Sequence, residues 1–373
     1  MRMNIQAGLV IAIMTIVCFS PVGTAIRDDV LLASGSDLEI TSNYTVSGSE
    51  VWDNILVKEG GILYITEGNG ISCEGMEFGS GSSLEMKGGK LEVKGDGPNA
   101  TLFGSMDDMK LMSGSSISIS GTDGKDQIGS SWGGNGLLDV SVNGSVTIRS
   151  SEIVIEGGDG YDLPASTSAT SNTWSEDNVT GSTAKGGNAT LRIHSNSTIS
   201  FYGSYANVTG GFGGDAADGG DGTTSRGGKG GGYSHAGMVF GYVGSGGNAT
   251  LEMVGDSIGL VGSNLTVKGG NGGNGGDGGD GGSAPSSSNG RGGGGGGYGG
   301  MDGGYNSNSP MTYVSGHVGS GGDAYLSLES SKAMTIDDTG IDVKAGNGGE
   351  AGNAGLGGAG KGAYGAGGGG GGY

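Results

Sequence analysis

The sequence predicts an all-β protein, a parallel β-solenoid-like stack whose long glycine-rich loops form a polyglycine II helix bundle. Three observations predict it. Glycine accounts for 93 of the 373 residues and proline for only 5, against roughly 7% glycine in ordinary domains. Each glycine inside a helix costs roughly 1 kcal/mol relative to alanine, so a helical core is disfavoured, and a collagen triple helix would bring abundant proline with its glycines. Short segments that alternate apolar and polar residues recur along the chain, and one spelling returns at widening intervals.

Residues 1–25 read as a secretory signal peptide. Arg2 gives the positive start, Ala7 to Phe19 is apolar, and Gly23-Thr24-Ala25 offers small residues before a cleavage point. The apolar run is too short to span a bilayer. Its removal takes away one basic residue and no acidic one, so the net charge of −20 becomes −21. Such a surface repels nucleic acid, which is not an expected partner. Only Cys73 then remains, in the strand-like stretch Ile71-Ser72-Cys73-Glu74. No internal disulfide is available, and Cys73 is expected to be a small buried residue.

Residues 26–132 form the expected N-terminal solenoid region. Leu38-Glu39-Ile40, Asn54-Ile55-Leu56-Val57, Ile62-Leu63-Tyr64-Ile65, Ser83-Leu84-Glu85-Met86 and Lys90-Leu91-Glu92-Val93 alternate over about four residues and are punctuated by Gly or Asn, which suits short strands stacked in coils. Residues 133–373 form the repeat region. Gly186-Gly187-Asn188-Ala189-Thr190-Leu191 returns as Gly246 to Leu251 and, varied, as Gly321 to Leu326, with a fainter copy at Gly133-Gly134-Asn135. Two or three strand-like pieces follow each start, then a glycine-rich excursion. Insertions on one side are what stacked repeats tolerate.

Between Gly269 and Gly282 the spelling has a period of three, Gly-Gly-Asn or Gly-Gly-Asp. Three residues per turn is polyproline II geometry. With two bare edges, such helices can approach closely, pair their backbone groups and point Asn or Asp outward. This alternation of short strands with Gly-Gly-X runs and a closing Gly-Gly-Gly-Tyr resembles proteins with polyglycine II bundles, among them phage tail-tip adhesins. The N-terminal part is similar to secreted microbial β-helix surface proteins. The resemblance is one of pattern: it implies architecture, and it carries over no catalytic residue.

Candidate site residues are few in kind. Nine Asn-x-Ser/Thr sequons, at Asn43, Asn99, Asn143, Asn178, Asn188, Asn196, Asn207, Asn248 and Asn264, are candidate glycosylation sites in an exported chain. Tyr233, Tyr298 and Tyr373 close the glycine runs and are candidate loop contacts, able to stack on sugars or to cap a bare glycine bundle. Calcium is the one cofactor the sequence raises, because Gly157 to Asp162, Gly210 to Asp215 and the windows ending at Asp277 and Asp280 spell Gly-Gly-x-Gly-x-Asp. The nine-residue calcium motif needs an apolar eighth residue where Pro164 and Ala217 stand, so no cofactor and no metal site is assigned. The pairs Asp107-Asp108 and Asp337-Asp338, and His194, His235 and His317, stand beside no recognisable nucleophile or metal-ligand spacing. The expectation is therefore a non-enzymatic structural or adhesive protein, secreted or at the cell surface, whose partners are further copies of itself, cell-envelope components or glycans. A polysaccharide-active β-helix enzyme and an ice- or mineral-binding protein are the alternatives.

Overall fold

The computed structural model describes residues 36–95, 99–125, 132–162, 184–215, 244–275 and 319–350. All lie in one compact unit, Gly35–Tyr373. The expected leader at 1–25, Asn178, His235, His317 and the three tyrosines Tyr233, Tyr298 and Tyr373 fall outside the described residues.

Among the described residues there is no helix, and the paired strands run parallel. They come in eight successive sets. The first is β1 (Leu38–Ile40), β2 (Asn43–Thr45) and β3 (Ser49–Val51), and the second β4 (Asn54–Val57), β5 (Ile62–Thr66) and β6 (Gly70–Cys73). The third is β7 (Gly75–Lys87) with β8 (Lys90–Lys94), and the fourth β9 (Asn99–Met112) with β10 (Ser116–Ser120). The fifth is β11 (Asn135–Val142), β12 (Val146–Arg149) and β13 (Glu152–Glu156), and the sixth β14 (Ala189–Ser195), β15 (Thr198–Tyr202) and β16 (Tyr205–Thr209). The seventh is β17 (Ala249–Val261) with β18 (Asn264–Lys268), and the eighth β19 (Ala324–Asp337) with β20 (Gly340–Lys344). In the two-strand sets the first strand is long and serves both positions that separate strands fill elsewhere, as when β9 pairs with β11 and again with β12.

Each strand bonds to its counterparts in the sets before and after, giving a 12-stranded and an 8-stranded sheet. The register puts like on like. Leu102, Leu138, Leu191, Leu251 and Leu326 follow one another from set to set, as do Val93, Ile119, Ile155, Val208, Val267 and Val343. A slip of one residue would turn these side chains outward, so the alternation read in the sequence fixes the register. Leu138, Leu191, Leu251, Phe201 and Val208 are fully buried. The two ends differ: Ile40 and Val46 of the first set are 3% and 1% exposed, whereas Ile336 and Val343 of the last are 46% and 44% exposed.

A serine stands at one corner of the later sets. Ser115, Ser151, Ser204 and Ser263 are buried, and their hydroxyls donate to the backbone oxygens of Met112, Arg149, Tyr202 and Val261. The Ser151 and Ser204 N–H groups in turn donate to the hydroxyls of Ser204 and Ser263 one set further on. The chain turns these corners through left-handed residues, Ser150 (φ 47°), Gly203 (φ 56°) and Gly262 (φ 59°).

Cys73 ends β6 and is 3% exposed. Burial, with the Glu74 charge beside it, pushes its thiol up to about 12, and the thiolate is the reactive species. Native protein at pH 8 is therefore expected to resist iodoacetamide at Cys73 and to be labelled at least tenfold faster in 6 M guanidinium, read by mass spectrometry. Equal rates in the two states would show the buried site to be wrong.

Candidate functional site

Glycine pairs lead out of the third strand position and back to the first. In the outgoing segments they are Gly157-Gly158, Gly210-Gly211 and Gly269-Gly270, and in the returning ones Gly133-Gly134, Gly186-Gly187, Gly246-Gly247 and Gly321-Gly322. In the pairs before Gly321-Gly322 the first N–H bonds along the stack: Gly157 to Thr209 O at 2.9 Å, Gly186 to Ser245 O at 2.9 Å and Gly246 to Ser320 O at 2.8 Å. The other N–H bonds across, between outgoing and returning segments. Gly158 donates to Gly134 O, Gly187 to Gly158 O, Gly211 to Gly187 O, Gly247 to Gly211 O, Gly270 to Gly247 O and Gly322 to Gly270 O, all at 2.8 to 2.9 Å.

These contacts leave no room for a side chain. A Cβ on Gly187, Gly211, Gly247 or Gly270 would stand 1.8 to 2.0 Å from a carbonyl oxygen of a neighbouring segment. Glycine is needed here for close approach rather than for an unusual φ.

Every third residue carries a side chain that points away from the array, and most of these close a further ladder. Asp123 Oδ1 accepts the Asp159 N–H at 2.9 Å, Asp159 Oδ1 the Phe212 N–H at 2.7 Å, and Asn271 Oδ1 the Asn347 N–H at 2.9 Å. A second row runs from Asp162 to Asp215, Asn274 and Glu350. On the returning side, Asn135, Asn188 and Asn248 accept in turn from the N–H groups of Asn188, Asn248 and Asp323. In the two described Gly-Gly-x-Gly-x-Asp windows, Asp159, Asp162 and Asp215 thus each give one oxygen to a backbone N–H; Asp277 and Asp280 fall outside the described residues. Among the described residues no group of three or more His, Cys, Asp or Glu is placed to hold a metal ion.

The described sequons fall on three parts of the stack. Asn99, Asn188 and Asn248 belong to the returning ladder, in which Asn188 and Asn248 use Oδ1, leaving the amide nitrogen as the glycan attachment point. Asn143 and Asn196 are exposed at one corner, where the Asn196 amide donates to Asn143 Oδ1 at 3.5 Å. Asn43 lies in β2, Asn207 in β16 and Asn264 in β18. Asn43 and Asn264 are exposed and Asn207 is half-buried.

Asp107, Asp108 and His194 build structure, while Asp337 ends β19 and Asp338 follows it with φ 44°. Asp108 Oδ1 accepts the Ser145 N–H and hydroxyl, and Asp107 Oδ1 accepts the Asn143 amide. His194 is the penultimate residue of β14, with Nε2 3.2 Å from Glu252 Oε1. Arg192 bridges Asp139 and Glu252 at 2.9 Å each. Its guanidinium, with His194 beside it, holds the Glu252 carboxyl below the usual range.

A cleft of about 620 Å³ opens where outgoing segments leave the strands of the third to sixth sets, lined by Lys94, Asp123, Lys125, Glu156, Asp159 and Phe212 together with glycine backbone. Sequence reading missed it, because it is assembled from residues more than a hundred positions apart. Comparison with family models, curated proteins and solved structures finds no match for this chain.

Proposed function

We propose that this chain is an exported, non-enzymatic structural or adhesive protein of the cell surface, built as a parallel β-solenoid flanked by a polyglycine II bundle. The cross-bonded glycine segments carry the reading. A loop that serves only as a tether needs no bond to its neighbours, whereas these segments pair their backbone groups at every described level and continue the stack sideways. Such a double array resists bending and presents two surfaces, the strand faces and the rows of third residues. Export fits the leader at 1–25 and the sequons, and glycans at Asn188 and Asn248 would stand beside the array.

Self-association belongs to the same proposal. Tyr325, Met334, Ile336, Ile341 and Val343 of the last set are 42% to 56% exposed, and an open β layer of this kind recruits further strands. Purified protein examined by electron microscopy across a concentration and calcium series, with circular dichroism on the same samples, is expected to give filaments or sheets with combined β and polyproline II signatures. A disperse particle at all concentrations would remove the assembly reading, and a spectrum lacking the polyproline II component would remove the bundle.

A further inference from the structure

We infer that the cleft around Phe212 binds a neutral oligosaccharide, with Phe212 as the stacking platform. The inference rests on the adhesive reading above and names the class of ligand.

The argument starts from an exception. The outgoing row of third residues reads Asp123, Asp159, Phe212, Asn271 and Asn347. Asp123, Asp159 and Asn271 each offer a side-chain oxygen to the N–H of the next segment. Phe212 has none to offer, so the ladder stops at a residue that is 49% exposed. Packing does not call for a phenyl group there, since an asparagine one set later completes the same contact. Exposure alone is ordinary, since Phe103 and Tyr205 are also exposed; what sets Phe212 apart is that it takes an acceptor's place in a row of acceptors and stands on the wall of a cleft lined by polar groups.

What surrounds the ring defines that ligand. Carboxylates from Asp123, Glu156 and Asp159 and ammonium groups from Lys94 and Lys125 line the same cleft; Asp123 and Asp159 each give one oxygen to a backbone N–H and keep the other, and Lys94 is paired with Glu92, so the cleft offers a ligand both acceptors and donors. An apolar ligand would strip water from these groups without pairing them. A strongly anionic one would meet three carboxylates. A polyhydroxylated ligand uses both kinds of group and lays its C–H face on the aromatic ring. The lining spans the third to the sixth set, three steps of about 4.8 Å or roughly 14 Å, the length of a short oligosaccharide. Asp159 fixes the platform by holding the Phe212 N–H at 2.7 Å.

The test is a panel of immobilised neutral oligosaccharides, hexose and N-acetylhexosamine chains of three to six units, probed with the full chain, followed by titration calorimetry on the strongest binder. The variant is Phe212→Asn, which restores the missing acceptor and so keeps or raises the unfolding midpoint. Binding of at least one neutral oligosaccharide by the wild type, lost at least tenfold in Phe212→Asn at unchanged midpoint, is the expected result. The inference is overturned if no neutral oligosaccharide binds, if only anionic saccharides bind, or if Phe212→Asn binds as tightly as wild type. Assembly of Phe212→Asn by microscopy separates the two readings: filaments without sugar binding leave the structural proposal standing and remove the cleft alone.

Discussion

Gly247→Ala is expected to be among the most damaging single-methyl additions this chain can receive. The new carbon would lie 1.8 Å from Gly187 O and 3.0 Å from Gly186 O, far inside contact distance of Gly187 O, which already accepts the Gly211 N–H. Relief requires the returning segments to separate, which breaks the Gly247 bond to Gly211 O and the Gly270 bond to Gly247 O, both 2.8 Å. Overpacking and lost buried bonds together put the loss at about 3 kcal/mol or more. Gly259→Ala is the control. It adds the same methyl to a strand where the nearest atom, Tyr202 Oη, is 4.0 Å away, and there the change is expected to be within about 0.5 kcal/mol of neutral. Urea unfolding followed by circular dichroism separates the two. Equal stability of both variants would mean that the glycine segments are not packed as described.

Phe201→Ala is the second large effect. The ring is fully buried in β15, set between Ile148 and Leu260 in the neighbouring sets. Its removal forfeits the transfer energy of the ring and leaves a cavity that the hydrogen-bonded ladders above and below hold open, a loss of about 3–5 kcal/mol. Because each set touches only its neighbours, the loss should be local in origin. Hydrogen exchange is expected to rise first in β12, β15 and β17, with β4 to β6 protected as in wild type. Uniform loss of protection along the chain would show instead that the stack melts as one unit. Phe201→Leu, which keeps most of the volume, should cost less than half as much.

How much of this was legible follows from which residues speak locally. Leu84, Leu91, Leu191 and Leu251 announce strands because period-two alternation needs only a few residues to be read. The spelling Gly-Gly-Asn-Ala-Thr-Leu was legible as a repeat, and its spacings of 53, 60 and 75 residues are those of the bonded asparagine ladder. The buried corner serines were not legible: serine is common in turns, and Ser204 is distinguished only by the left-handed Gly203 before it and by Ser263 one set away. Phe212 reads as one aromatic among glycines until the row Asp123, Asp159, Phe212, Asn271 is assembled across sets. The sequons could be counted but not placed, because what separates Asn188 from Asn196 is a ladder that exists only when several sets are stacked.

The widening of the interval between bonded sets has a consequence in time. Partners in the returning ladder are 36 residues apart at Asn99 and Asn135 but 75 apart at Asn248 and Asp323. As equilibrium entropy this matters little, since a doubling of loop length costs only about 0.6 kcal/mol. As kinetics it matters more. A chain made at about 5–20 residues per second needs several seconds to deliver the next 75-residue interval, whereas strand pairing takes on the order of microseconds once both partners are present. Each completed set must therefore wait, its apolar side open to solvent, and the wait lengthens towards the C-terminus. The early, closely spaced sets close first and act as the template, so the order of folding follows the order of emergence, and a pause in synthesis is most hazardous in the last third of the chain.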